Sequence, residues 1–324
     1  MLSRRGCVLV ALVAAAFIVG LAVFFNGWFG SGPLEKESPF VVPTGASLSV
    51  VAERLEEGGF ISSASGFALR ARIIGGGSSI KAGEFRIPAH ASPQRILSII
   101  QSDDIVRRFV TIPEGMPSIM VAERLRAQDP LTGTLAVPEE GSVLPGTYDF
   151  ERGETREAVL RRMQTAMQRT LAELWADRGK NIAVKTPEEA LVLASIVEKE
   201  TGKPSEHRMV AGLYSNRLKQ GMLLQADPTI IYPITRGKPL GRRILQSEIR
   251  AVNDYNTYTM VGLPKRPITN PGKESIAAVL NPAKTEALYM VADGTGGHAF
   301  AATLQEHNSN VEKWFAIRRQ RGEL

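Results

Sequence analysis

Pro43-Thr-Gly-Ala-Ser-Leu-Ser-Val-Val-Ala-Glu-Arg-Leu55 returns 70 residues later as Pro113-Glu-Gly-Met-Pro-Ser-Ile-Met-Val-Ala-Glu-Arg-Leu125. Each copy follows a β-rich run, Phe40-Val41-Val42 or Phe109-Val110-Thr111-Ile112, and enters a helix ending Val-Ala-Glu-Arg-Leu. Further on, Gly83-Glu84-Phe85 matches Gly146-Thr147-Tyr148 at an offset of 63, and Gln94 to Gln101 matches Glu157 to Gln164. The shorter offset means that the first copy carries about seven extra residues, in a stretch that holds Gly75-Gly76-Gly77. Two α+β modules of one plan are therefore expected, over 39–102 and 108–170. A duplicated spacer with no binding role explains the repeat equally well.

Toward the N-terminus, Cys7 to Phe25 form 19 consecutive apolar residues or glycines, and no charge lies between Arg5 and Glu35. A membrane-spanning helix needs ~20 such residues. Arg4 and Arg5 precede the run and Glu35, Lys36 and Glu37 follow it, which orients the N-terminus to the cytoplasm. The reading is a cytoplasmic tail at 1–6, an anchor at 7–29 with Trp28 and Phe29 at the outer interface, and a linker at 30–38. A cleaved signal peptide is the alternative, but the run exceeds the ~7–15 residues of a signal core, no convincing small-x-small site follows it, and the nearest candidate, Gly20-Leu21-Ala22, lies within the run. Cys7 is the only cysteine, so the exported part has no disulfide and must rely on ordinary cores.

Other function classes fail on spacing. Acidic and basic residues are interspersed despite a net charge of +6, and no Lys/Arg block with interleaved aromatics points to nucleic acid. His90, His207, His298 and His307 form no His-x-x-x-His pair, so no metal is expected. No Gly-x-Ser-x-Gly elbow or phosphate-binding Gly-Lys-Ser/Thr loop occurs, and no cofactor is implied.

The chemistry is expected in a domain over 185–318. Its first helix contains Ala190-Leu-Val-Leu-Ala-Ser-Ile-Val-Glu-Lys-Glu-Thr201. Thr186 can cap it, Pro187 suits the first helical position, Glu189 completes a capping box, and Gly202 and Pro204 stop it. Glu198 shares a stripe with Leu191 and Ser195 at the end of this apolar run. A desolvated carboxyl there would keep its proton near neutral pH, as general acid catalysis requires. A plain capping or pairing role is the alternative. A second helix is expected from Ser205 to about Gln220. In the following Leu224 to Tyr232, Gln225 and Asp227 alternate with Leu224 and Ala226 and could point together into a groove. Asn253 to Tyr258 is a polar-aromatic loop suited to sugars. A helix from Lys273 to Leu280, a hairpin turning at Asp293 to Gly297, and a last helix after Glu306-His307-Asn308 complete the chain.

Two resemblances follow. Val42-Pro-x-Gly-x-Ser47 with Val-Ala-Glu-Arg-Leu resembles a LysM-like module, which implies affinity for the glycan of peptidoglycan; the second copy is less similar, since Pro117 replaces the usual Ser. Leu193-Ala-Ser-Ile-Val-Glu-Lys-Glu-Thr201, Asn216-Arg-Leu218, Leu224-Gln-Ala-Asp-Pro-Thr229, Tyr255-Asn-Thr-Tyr258, Gly262-Leu-Pro264, Asn270-Pro-Gly272 and Val291-Ala-Asp-Gly294 through His298-x-Phe300 resemble the YceG-like endolytic murein transglycosylases. Asn253-Asp254 and Lys265-Arg266 depart from that pattern. The resemblance implies a single membrane helix, two small LysM-like α+β modules and an α+β catalytic domain. It implies Glu198 as acid/base, and Gln225, Asp227, Tyr255, Asn256 and Asn308 as cleft residues. Glu200, two positions on, is expected to be structural. The implied reaction is non-hydrolytic cleavage of peptidoglycan strands to 1,6-anhydro-muramyl ends, outside the cytoplasmic membrane and in contact with peptidoglycan synthases. A catalytically silent glycan-binding scaffold and a muramidase-type hydrolase with Asp227 as second carboxylate are the alternatives.

Overall fold

The computed structural model describes residues 4–323, so part of the expected cytoplasmic tail, residues 1–3, lies outside the described residues. The chain divides into two compact units: one runs to Arg108 and takes in Glu151–Gly153, and the other comprises Phe109–Phe150 with Glu154–Leu324.

In the first unit an apolar helix, α1 (Arg4–Phe29), leads into β1 (Ser38–Val42), α2 (Leu48–Glu57), α3 (Ala64–Ile74), β2 (Gly83–Ile87) and α4 (Pro93–Gln101). β1 and β2 pair antiparallel with Phe40 opposite Phe85. Strand alternation sends Phe40, Val42, Phe85 and Ile87 inward, against Val51, Leu55, Phe67 and Ile96. Ser47, Ser63 and Ser92 each cap a helix by accepting an N–H three residues on. Glu84 is buried on the other face of β2, where Arg108 and Arg152 hold its carboxylate at 2.9 and 2.6 Å. Burial pushes this carboxyl up, but the two guanidiniums outweigh it and the net shift is down.

Two expectations for this unit change. Trp28 is not an interfacial residue: it is 1% exposed and packs on Phe67 with ring centroids 5.8 Å apart. The stretch 30–38 is not a free linker either, because Gly32 N–H donates to His90 O and His90 N–H donates to Leu34 O.

The second unit opens with β3 (Arg108–Ile112), α5 (Ser118–Arg126), β4 (Gly146–Phe150) and α6 (Arg156–Ala176). The strands pair, repeating the β-α-β-α order of the first unit. The extra residues of the first copy lie beside α3, which has no counterpart between Arg126 and Gly146. At the N-cap of α5, Pro117 supplies no side-chain bond; Glu140 instead accepts the Ser118 N–H at 2.8 Å. α6 serves two cores. Its Val159, Leu160 and Met163 close the βα copy, whereas Met167, Leu171 and Trp175 pack into the C-terminal core.

That C-terminal core is built by α7 (Pro187–Glu200), α8 (His207–Lys219), α9 (Asp227–Thr235), α10 (Gln246–Ile249) and α11 (Lys273–Leu280). The hairpin β5 (Tyr289–Ala292) and β6 (His298–Ala301) and the last helix, α12 (Leu304–Gln320), follow. α7 begins as the sequence indicates, with Thr186 accepting from Glu189 N–H and Pro187 in the first turn. The stretch after Leu224 is corrected: it turns at Gln225, and a helix starts at Asp227 with Pro228 in its first turn. α12 also starts earlier than expected, because a Thr303–Glu306 capping box places His307 and Asn308 inside it.

A polar groove as the candidate active site

α7 is buried along Val192 to Val197, so its end is held fixed, and its last residues point to opposite sides. Residues two apart on a helix diverge by ~200°. Glu198 turns toward α11. Its Oε2 accepts the Gly272 N–H at 2.9 Å and the Ser275 hydroxyl at 2.8 Å. Gly272, the N-cap of α11, has no side chain with which to cap, and the Glu198 carboxylate takes that place at the positive end of the helix dipole.

Glu200 turns the other way, into a polar groove of about 450 Å³. Its Oε1 is buried and accepts no hydrogen bond within the protein. Burial, reinforced by the negative charge of Asp227, pushes this carboxyl up to about 7, against the opposing influence of the Tyr214 hydroxyl and the Arg217 guanidinium. Part of the residue remains accessible, as a group that exchanges protons with a ligand must be.

The groove wall comes from α8, the turn before α9, the tyrosine loop, the hairpin and α12. Arg217, 8% exposed, donates to neutral acceptors: Leu288 O at 2.6 Å, Leu224 O at 2.8 Å, Leu223 O at 3.2 Å and the side-chain Oε1 of Gln225 at 3.5 Å. Its charge is thus left to act on the groove. Gln225 sits at φ 53°, in the left-handed region that non-glycine residues seldom adopt. Thr257 holds this turn, its carbonyl accepting the Gln225 N–H and its hydroxyl accepting the Ala226 N–H. With Leu224 and Ala226 fully buried, Gln225 and Asp227 face outward together. Asp227 Oδ1 accepts the Tyr258 hydroxyl at 2.5 Å. Burial raises the Tyr258 phenol, and this hydrogen bond raises it further, so it stays a donor.

Two histidines complete the groove. His298 Nδ1 lies 2.8 Å from Glu206 Oε2, which fixes the ring beside the opening. His307 stacks on Tyr289 with centroids 5.3 Å apart. Burial and the Arg217 charge both lower its pKa, so it is neutral at pH 7.

Of the six residues singled out in the sequence, the structure brings Gln225 and Asp227 to this groove. Glu198 faces α11 instead. Tyr255 packs against Tyr232, with ring centroids 4.9 Å apart and the planes tilted by 46°. Asn256 is fully buried; its Nδ2 donates to the carbonyls of Ile249 and Ala251, so it ties the loop to itself and is closed to a ligand. Asn308 is exposed on α12, and His307 takes the place in the groove. Sequence reasoning gave Glu200 a structural role, whereas the structure turns it into the groove, and it did not single out Arg217, Tyr258, His298 or His307 as site residues. All but His307 lie inside the motifs quoted above. The available signal was Arg217, a charge in the apolar register of a buried helix.

A carboxyl raised to about 7 by burial, a buried guanidinium and phenol donors in an open polar groove define a site for acid–base chemistry on a polar ligand. The chain belongs to the YceG-like family, whose model matches residues 40–313. It is 27% identical, over 96% of its length and 93% of the relative's, to the endolytic murein transglycosylase of Bacillus subtilis (strain 168). It is also 27% identical to that of Streptococcus pneumoniae (strain R6), covering 91% of this chain and 64% of the relative. The crystal structure of a YceG-like protein from Listeria monocytogenes superimposes with a TM-score of 0.53 at 26% identity, over 85% of this chain and 98% of that one.

Proposed function

We propose that the chain is an endolytic lytic transglycosylase of peptidoglycan, anchored by α1, with Glu200 as its acid/base. The observation that carries this reading is the Glu200 carboxyl, raised to about 7 in the groove, while Glu198 is engaged at α11. Protonated Glu200 donates to the glycosidic oxygen between N-acetylmuramic acid and N-acetylglucosamine as the bond to C1 breaks. The resulting carboxylate takes the proton of the muramyl C6 hydroxyl as that oxygen bonds to C1. The acid is restored, no water is consumed, and the product is a 1,6-anhydro end. One carboxyl suffices because the nucleophile belongs to the substrate, whereas an ordinary glycosidase uses two. Tyr258 and Gln225 offer donors and acceptors to the sugars, and Tyr289 offers a ring face.

The anchored, single-pass reading places the N-terminus in the cytoplasm and the groove outside, where nascent strands emerge from synthases. Burial of Trp28 in the first unit supports an uncleaved α1, since cleavage would remove a core residue. The LysM-like resemblance assigns glycan affinity to the first βα copy.

Asp227 shares the groove with Glu200, which is the arrangement a hydrolase would need. Mass spectrometry of uncrosslinked glycan strands incubated with the full chain in detergent separates the two. Anhydro-muramyl ends from wild type and Glu198→Gln but not from Glu200→Gln support the transglycosylase and its acid. Reducing muramic acid ends without anhydro product would establish the hydrolase instead.

A further inference from the structure

The membrane helix does not end where its apolar run ends. Phe67 of α3 packs on Trp28, and one turn later Arg70 Nε donates to Phe24 O at 2.9 Å, with its guanidinium 5.3 Å from the Phe24 ring centroid. α3 therefore runs back along α1, against its direction, toward the bilayer. Extending this pairing by one more turn brings Ile73 and Ile74 level with about Leu21. These residues are not covered: Leu69 is 54%, Ile73 61% and Ile74 38% exposed. Leu69 and Ile73 are four apart and share a face.

The length of α1 points the same way. Its apolar span, Cys7–Phe29, is 23 residues, but Phe24 and Trp28 are engaged by the folded unit. The stretch exposed throughout, Cys7 to Val23, rises about 25 Å at 1.5 Å per residue, short of the ~30 Å hydrocarbon core. The deficit closes if the unit settles into the leaflet by a few ångströms. The last turn of α3 then meets the boundary between headgroups and acyl chains, the layer in which apolar helix faces lie.

We propose that Leu69, Ile73 and Ile74 form a membrane-contact surface, seated in the leaflet through which α1 leaves the bilayer. The proposal rests on α1 spanning a membrane. The test uses the full chain with Cys7→Ser, reconstituted in phosphatidylglycerol/phosphatidylethanolamine vesicles and carrying one nitrobenzoxadiazole label at Ile73→Cys, Leu69→Cys or Val13→Cys. Labels at 73 and 69 should be shielded from iodide and quenched more by shallow than by deep lipid nitroxides, with the reverse depth order at 13. A label at 13 quenched by deep nitroxides, with 73 and 69 open to iodide, overturns the surface and leaves the anchor standing. Labels at 13 and 73 both outside lipid overturn the anchor and the surface together. Shielding at 73 without lipid quenching assigns the face to a protein neighbour and also overturns the proposal.

Discussion

Two glutamates at the end of one helix meet opposite surroundings because a two-residue step turns the side chain to the far side, and the proposed tasks differ accordingly. Glu200→Gln should lower the rate of strand cleavage by ~10²–10⁴-fold, the usual worth of a general acid/base, with the melting temperature unchanged or raised. Glu198→Ala should do the reverse. It strips α11 of its cap and the Ser275 hydroxyl of its acceptor, costing ~1–2 kcal/mol in denaturant unfolding while cleavage persists. Because burial raises the Glu200 carboxyl to about 7, kcat/KM should fall as pH rises through that value. Asp227→Asn removes a negative charge that helps raise it, so the falling limb should move to lower pH; a limb that stays put would sink the assignment. The sign for stability is opposite to that of a salt-bridged acid. With a folded pKa above the unfolded 4.5, the contribution of Glu200 is whole below 4.5 and is lost as pH rises to about 7. Glu200→Gln should flatten the stability profile in that window. The sequence marked Glu198 because the apolar stripe of α7 leads to it. The desolvation of Glu200 comes from α8 and the hairpin, which a local pattern does not register.

At the scale of elements, legibility followed locality. α7, α11 and the hairpin carry their own start and stop signals, in Thr186-Pro187, Pro271-Gly272 and the glycines of 294–297, and they lie where those signals put them. α9 was hidden because Pro228 and Pro233 interrupt its pattern, and the alternation of 224 to 227 mimics a strand. Asn256 looked like a sugar ligand because an amide in a tyrosine loop suits sugars, but the loop needs that amide for its own carbonyls. Thr257 is the neighbour that matters to the groove. Thr257→Val removes the acceptor for Ala226 N–H and should cost ~1–3 kcal/mol. Cleavage by the residual folded protein should also fall, because the strained Gln225 turn loses its anchor. Unchanged activity per folded molecule would show that Gln225 does not contribute.

At the scale of the whole molecule, the duplication was legible as an exact five-residue repeat. The placement of Glu151–Gly153 with the first unit was not, because there Arg152 pairs with Glu84, 68 residues away in the chain. Glu84→Gln should destabilise the first unit by ~2–3 kcal/mol, less than for a fully enclosed pair because Arg152 is half exposed. Its carboxyl titrates below the usual range, so this contribution is present above about 4.5 and is lost as pH falls. Trp28→Ala should cost the same unit ~3–5 kcal/mol, read by denaturant unfolding of the full chain in micelles. A fragment beginning at residue 31 should show the same weakness. The first unit borrows its largest fully buried side chain from α1, the helix proposed as the anchor. On that anchored reading, completion of this core waits on insertion of α1. A chain cut after Trp28 would lose a core residue, so the same reading expects a released molecule to be protease-sensitive through its own instability.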